Sequence, residues 1–161
     1  ELVIFQGGSG ETDTFSERKI FSETLKKFIK TINQSGAEAA LYMIHAYTEP
    51  HENANPQMIE DIKKMYINAG NENNSMVIPV GIAFENAYMQ NPDIQLHKSF
   101  DGSHPSLLGT YLAACVVFSS ITHETPLNIQ YNYFNNISDE DRKFLQKIAH
   151  KTVENFFNIK L

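Results

Sequence analysis

One cysteine, Cys115, is all that the 161 residues contain. It can form no internal disulfide, and its place in Ala113-Ala114-Cys115-Val116-Val117 marks it as core filling. Basic clusters are missing as well. The densest are the pairs Lys26-Lys27 and Lys63-Lys64, and the net charge is −6, which argues against a nucleic-acid partner. No run is fit to span a bilayer. The most apolar stretch, Leu107 to Ile121, is shorter than the roughly 20 residues needed and is interrupted by Gly109 and several hydroxyls. No His, Asp or Glu residues stand at metal-ligand spacing, so neither a metal nor a cofactor is expected. What remains is an ordinary globule, 42% hydrophobic and 20% charged, long enough for one domain over residues 1–161 with a core of its own.

Apolar runs and amphipathic stretches alternate along it. Leu2-Val3-Ile4-Phe5 has the two-sided apolarity of a central parallel strand and ends in Gly7-Gly8-Ser9-Gly10. A helix is expected over 16–34, with Ile20, Phe21, Leu25, Phe28, Ile29 and Ile32 on one stripe and Gly36 as its stop. Residues 39–47 read as a second strand and 76–80 as a third, with Pro79 ending the pairing. Between them, Met58, Ile59, Ile62, Met65, Tyr66 and Ala69 form a helical stripe after an Asn-Pro start. A short helix is expected over 83–89, and a last one after a Ser138 cap with acidic residues in its first turn. Alternation of this kind means α/β with parallel strands. Three strands are few for a sheet covered on both faces.

Ligands in such folds bind beyond the carboxyl ends of the strands. That points to the loops 6–14, 45–50 and 81 onward. The chemistry is densest elsewhere, in Asp101-Gly102-Ser103-His104-Pro105-Ser106. Gly102 allows a sharp turn, Pro105 suits the first position of the following helix, and His104 before it is pushed to an extended conformation. A carboxylate three residues before an imidazole across that turn can bind Nδ1–H and leave Nε2 free to take a proton. An ordinary loop and helix entry has the same composition, and both readings stand at this point.

The run Asp101-Gly-Ser-His-Pro-Ser-Leu-Leu-Gly109-Thr-Tyr111-Leu-Ala-Ala resembles the last conserved block of the SGNH (GDSL-type) hydrolases, and most closely that of a bacterial branch of the superfamily. The resemblance implies a three-layer α/β/α fold, SGNH or flavodoxin-like, with about five parallel strands. It also implies a Ser-His-Asp triad in which Asp101 and His104 are the acid and base. Leu2 to Gly10 then matches the third-strand block, with Gln6 and Gly-Ser-Gly where the family usually has Gly-x-Asn-Asp. On that alignment the chain is the C-terminal portion of a larger domain, lacking its N-terminal strands, and the nucleophilic Ser and an oxyanion Gly lie upstream.

Gln6 and Ser9 are therefore candidates to line the site. Gln6 would donate a side-chain N–H and the glycines would let backbone N–H groups approach a substrate oxygen. Ser9 as the nucleophile itself is a rival, since Gly7-Gly8-Ser9-Gly10 echoes the family's Gly-Asp-Ser-Leu and the order Ser, Asp, His would fit. His45, closing the second strand, is placed to face the site or to be a structural histidine. The expected substrate is a small-molecule or carbohydrate ester. A second copy or an upstream segment is expected over the sheet edge. A secreted or periplasmic setting follows from the resemblance alone.

Overall fold

The computed structural model describes residues 1–161. Strand β1 (Leu2–Gln6) leads through a 3-10 turn (Ser9–Thr12) into α1 (Phe15–Gln34), followed by β2 (Glu38–Tyr42), α2 (Met58–Asn73) and β3 (Met76–Ile78). Then come α3 (Val80–Gln90), α4 (Leu107–Thr122) and α5 (Asp139–Phe157). The strands form one parallel sheet in the order β1-β2-β3.

Period-two alternation in β2 and β3 divides the core. Ala39, Leu41 and Val77 face Phe21, Leu25 and Ile29 of α1 and Ile62 and Tyr66 of α2. Ala40 and Ile78 face the opposite way, onto Phe84 of α3, Leu112 and Val116 of α4 and Leu145 and Ile148 of α5. The result is helix–sheet–helix, as the alternation of elements implies. Each fully buried aliphatic side chain contributes roughly 1.5–3 kcal/mol, so β2, apolar on both faces, anchors both layers. No helix is long and apolar enough to cross a membrane.

Caps set the helix limits. Thr14 and Glu17 make a reciprocal capping box at α1, and Ser138 accepts the Asp141 N–H at α5. Helix α2 runs on to Asn73, into the Asn-rich stretch expected to end it, and stops at Asn74 in the left-handed conformation.

Four local expectations change. β2 ends at Tyr42 instead of residue 47, because its neighbour β3 stops at Ile78 and nothing beyond it offers a strand to pair with. Helix α3 begins at Val80, directly after Pro79. The loop expected from Gly81 onward is therefore absent: the Gly81 N–H donates to the Met43 carbonyl at 2.9 Å, and a Cβ there would overlap the Ile44 carbonyl. Pro105 lies outside α4, bridged to His97. Ser106 is the cap instead, its hydroxyl accepting the Gly109 N–H at 3.1 Å and donating to the Gln95 carbonyl at 2.6 Å.

The fourth change concerns β1. Its composition is that of a central strand, yet it stands at the sheet edge. Val3 and Phe5 share the α1 side with Ala39 and Leu41, whereas Leu2 and Ile4 share the other face with Glu38 and Ala40. The α3–α5 layer does not extend that far, so Leu2 and Ile4 are 37% and 42% exposed. Two of the six α1 stripe residues, Ile20 and Phe28, are open too.

Helix α4 enters so close to the segment before the turn that a Cβ on Gly109 would overlap the Leu96 carbonyl. Gly109→Ala should destabilise the domain by about 1–3 kcal/mol through overpacking, read as a lower midpoint in urea unfolding with an unchanged slope.

Candidate functional site

The turn carrying Asp101 and His104 is built from backbone. The Lys98 N–H donates to the His104 carbonyl and the Ser106 N–H to the Leu96 carbonyl, both at 2.8 Å. These two bonds flank the His97–Pro105 bridge. Within the turn, Gly102 has φ +61°, a conformation glycine adopts without penalty. Its carbonyl accepts the Thr48 N–H at 2.9 Å, and a Cβ would overlap the Thr48 carbonyl. The turn is thereby seated against the segment leaving β2.

Asp101 is fixed from three sides. One carboxylate oxygen accepts the N–H groups of Ser103 and His104 at 2.8 and 3.0 Å. The other lies 2.7 Å from His104 Nδ1. The Ser103 N–H, followed by the His104 backbone and ring, holds the Asp101 carboxyl down at about 2. His104 Nε2 has no protein partner, and the side chain is 72% exposed against 22% for Asp101. An acceptor-oriented, solvent-facing imidazole is what a general base requires.

His45 lies deeper. Its Nδ1 is 3.0 Å from His97 Nε2, and His97 Nδ1 is 2.6 Å from the Tyr88 hydroxyl. The His45 ring stacks on Phe84 with centroids 4.5 Å apart. Burial, then His97, then His104 pull His45 down to about 4. Burial lowers His97 as well. Tyr88 and His97 also wall a cavity of about 300 Å³ whose rim includes Thr48, Glu49 and Glu85.

Ser9 and Gln6 are placed differently. The Ser9 hydroxyl donates to the His45 carbonyl at 2.9 Å, so Ser9 is tied to the end of β2 through backbone and makes no bond to His104. The Gly7 N–H donates to the Tyr66 hydroxyl at 3.0 Å and is already used, while Gly8 faces open space. Gln6, exposed at the end of β1, lines a second cavity of about 260 Å³ with Phe21, Phe28 and Glu11. One Glu11 oxygen is buried there without a partner, and burial raises its carboxyl above the usual range. The structure thus joins Asp101 to His104 and Ser9 to His45, and leaves Gln6 apart from both. No group of three or more His, Cys, Asp or Glu is arranged to hold a metal ion.

His97 and Tyr88 escaped the sequence reading. His97 stands in a segment without periodicity, and Tyr88 sits nine positions earlier on a helix. The only signal was a histidine just ahead of the Asp-x-x-His turn.

No family model matches the chain, and no curated protein does. Two solved structures are similar. A DUF4886 family protein from Bacteroides uniformis superposes with TM-score 0.81 at 20% identity over 99% of this chain. A protein provisionally assigned as an SGNH hydrolase, from Slackia heliotrinireducens, gives TM-score 0.65 at 18% identity over 75% of this chain. The fold is SGNH-hydrolase-like. The chain spans 64% and 65% of the lengths of these two proteins.

The depressed Asp101 carboxyl has a measurable consequence. A lowered pKa contributes stability that is present above the ordinary carboxylate value and lost as pH falls through the folded one. The Asp101 side-chain carbon signal in an NMR titration should therefore move near pH 2 rather than near the ordinary aspartate value. His104→Ala should raise that midpoint only in part, because the two backbone N–H donors remain.

Proposed function

We propose that this chain carries the base and acid of a Ser-His-Asp ester hydrolase of the SGNH type. The observation that supports it is the Asp101–His104 pair: a 2.7 Å contact through Nδ1, with Nε2 open to solvent, on an SGNH-hydrolase-like fold. In this reading a serine hydroxyl attacks the ester carbonyl while His104 Nε2 takes its proton. His104 then returns that proton to the leaving alkoxide, and the same base activates water for the second half-reaction. Asp101 holds the ring by Nδ1–H and stabilises the imidazolium without taking the proton. Acetyl or acyl esters, including those on carbohydrate, are the substrate class.

The nucleophile in this reading lies upstream of residue 1. No serine hydroxyl here is bonded to His104: Ser9 is bound to the His45 carbonyl and Ser106 to Gln95 and Gly109. Both structural neighbours are longer than this chain. Oxyanion donors in this reading are backbone N–H groups, because Gln6 lines the separate cavity with Glu11 and Phe28, apart from His104. The open β1 edge is where an upstream strand or a second copy would pair, since unpaired strand N–H and C=O groups accept one readily.

In the intact protein, His104→Ala should lower turnover of a nitrophenyl acetate by about 10⁴-fold or more, and Asp101→Asn by a similar or smaller factor. The 161-residue chain alone should not hydrolyse the ester. Hydrolysis by that chain, lost in both Ser9→Ala and His104→Ala, would instead make Ser9 the nucleophile. An intact protein with no hydrolysis would point to a non-catalytic binding module on the same fold.

A further inference from the structure

The cavity of about 260 Å³ on the α1 side of β1 shares no lining residue with the turn that carries Asp101 and His104. Four aromatic rings wall it: Phe5 of β1, Phe21 and Phe28 of α1, and Tyr66 of α2. They come as two pairs. Phe5 lies on Phe28 with centroids 5.8 Å apart, and Phe21 leans on Tyr66 at 5.2 Å. Burial is graded along the cavity. Tyr66 and Phe21 are buried, whereas Phe28 is 54% exposed with Ile20 open beside it. The cavity therefore has an inner end at Phe21 and Tyr66 and a mouth at Phe28.

One charged group stands at the inner end. Glu11 lines the cavity, and its Oε2 is buried without a hydrogen-bond partner. That oxygen lies over Gly7 and next to Phe21: a Cβ on Gly7 would overlap it and would stand 3.0 Å from the Phe21 ring. A buried carboxylate oxygen without a donor is costly and calls for a partner. The chain supplies little. The Gly8 N–H favours the carboxylate, against burial and the charge of Glu17. The Tyr66 hydroxyl accepts the Gly7 N–H at 3.0 Å and makes no bond to Glu11. No lysine, arginine or histidine lines the cavity. The basic residues nearest in sequence are engaged elsewhere, Arg18 with the Thr12 carbonyl and Lys19 with Glu23.

We propose that this cavity binds a small organic ammonium ion, with its charged head on Glu11 beside Phe21 and Tyr66 and its apolar body along Phe5 and Phe28. Each part of the wall favours that occupant. Ring faces attract a cation through their quadrupole, a carboxylate takes an N–H⁺ donor in a charge-assisted bond, and the apolar sides bury the body. A neutral apolar guest would leave Oε2 orphaned. An anion would meet a like charge with no basic side chain to offset it. The volume, about 260 Å³, lies just below the roughly 300–1,000 Å³ of pockets for drug-sized ligands, so the body is one ring or a short alkyl chain. The site is independent of the hydrolase reading and uses no residue of it.

The test is a titration of the intact protein at pH 7 with 2-phenylethylammonium. Its neutral and anionic counterparts of similar shape are 2-phenylethanol and phenylacetate. Calorimetry should give the ammonium a Kd of about 1 mM or below, the alcohol a Kd about tenfold higher or more, and no binding of phenylacetate. Glu11→Gln keeps the shape and removes the charge. It should weaken the ammonium about tenfold or more and leave the alcohol unchanged. In carbon NMR spectra the Glu11 carboxyl and Phe28 ring signals should move together as the ammonium is added.

Absence of ammonium binding by the folded intact protein overturns the proposal, and a cavity filled by upstream chain would give that result. Equal affinity for the ammonium and the alcohol overturns it as well, as does an ammonium affinity unmoved by Glu11→Gln; either would leave an apolar pocket without a cation site. Should Glu11→Gln fail to fold, Phe28→Ala at the exposed mouth is the second variant. It should weaken the ammonium severalfold, and an unchanged affinity there overturns the proposal. None of these results depends on whether the protein hydrolyses an ester.

Discussion

The close approach of Gly102 to Thr48 is the constraint on which the candidate site depends. Two backbone segments, from the end of β2 and from the turn before α4, meet with no room for a Cβ between them. The bond from the Thr48 N–H to the Gly102 carbonyl closes the contact. Because Gly102 must also hold φ +61°, sterics and backbone geometry both require glycine at this point. From there the placement follows mechanically. The ladder between residues 96–98 and 104–106 sets the height of His104, and the Ser106 cap fixes where α4 begins. A site carried on loops thereby takes its position from main-chain bonds instead of from mobile side chains.

Two polarity regimes sit side by side on that frame. Asp101 and His104 are near solvent, and the carboxylate is stabilised by fixed backbone dipoles as well as by the imidazole. Such donors stabilise the ionised form without needing a low dielectric, so Asp101 stays an acceptor over the whole working range. His97 is buried and His45 half-buried, and there desolvation favours the neutral form of the same residue type. A charge on either would face the other ring as well as the desolvation cost. Environment, rather than residue identity, separates the exposed histidine from the two deeper ones.

Much of this was legible in the residues because it is local. Asp-Gly-Ser-His encodes its own turn: the carboxylate, the two N–H groups it binds and the imidazole lie within four positions, and only glycine satisfies the middle. The amphipathic stripes of α1 and α2 and the apolar length of α4 likewise show their elements directly. What was not legible is tertiary. The direct passage from β3 into α3 depends on Gly81 meeting the Ile44 backbone, which no periodicity reports. The Tyr88–His97–His45 path joins three elements whose spacing carries no motif. Pro105 at a helix start was a sound local inference, but Ser106 offers a better cap and pairing with His97 draws the proline away from the helix.

The edge strand links the fold to the chemistry. β1 has a central strand's composition, one face half-covered by α1 and the other bare at Leu2 and Ile4. A strand pairing with β1 in parallel would cover the open ladder, and a helix behind it would cover Leu2 and Ile4. Parallel neighbours end on the same side of a sheet, about 4.8 Å apart. Such a strand would therefore deliver its own carboxyl end beside Gln6, on the side where His45, Thr48 and the Asp101–His104 turn already stand. In doubly wound sheets that is where reacting groups collect. In the proposed hydrolase reading, one added strand and the loop that follows it would both cover the apolar edge and supply the nucleophile.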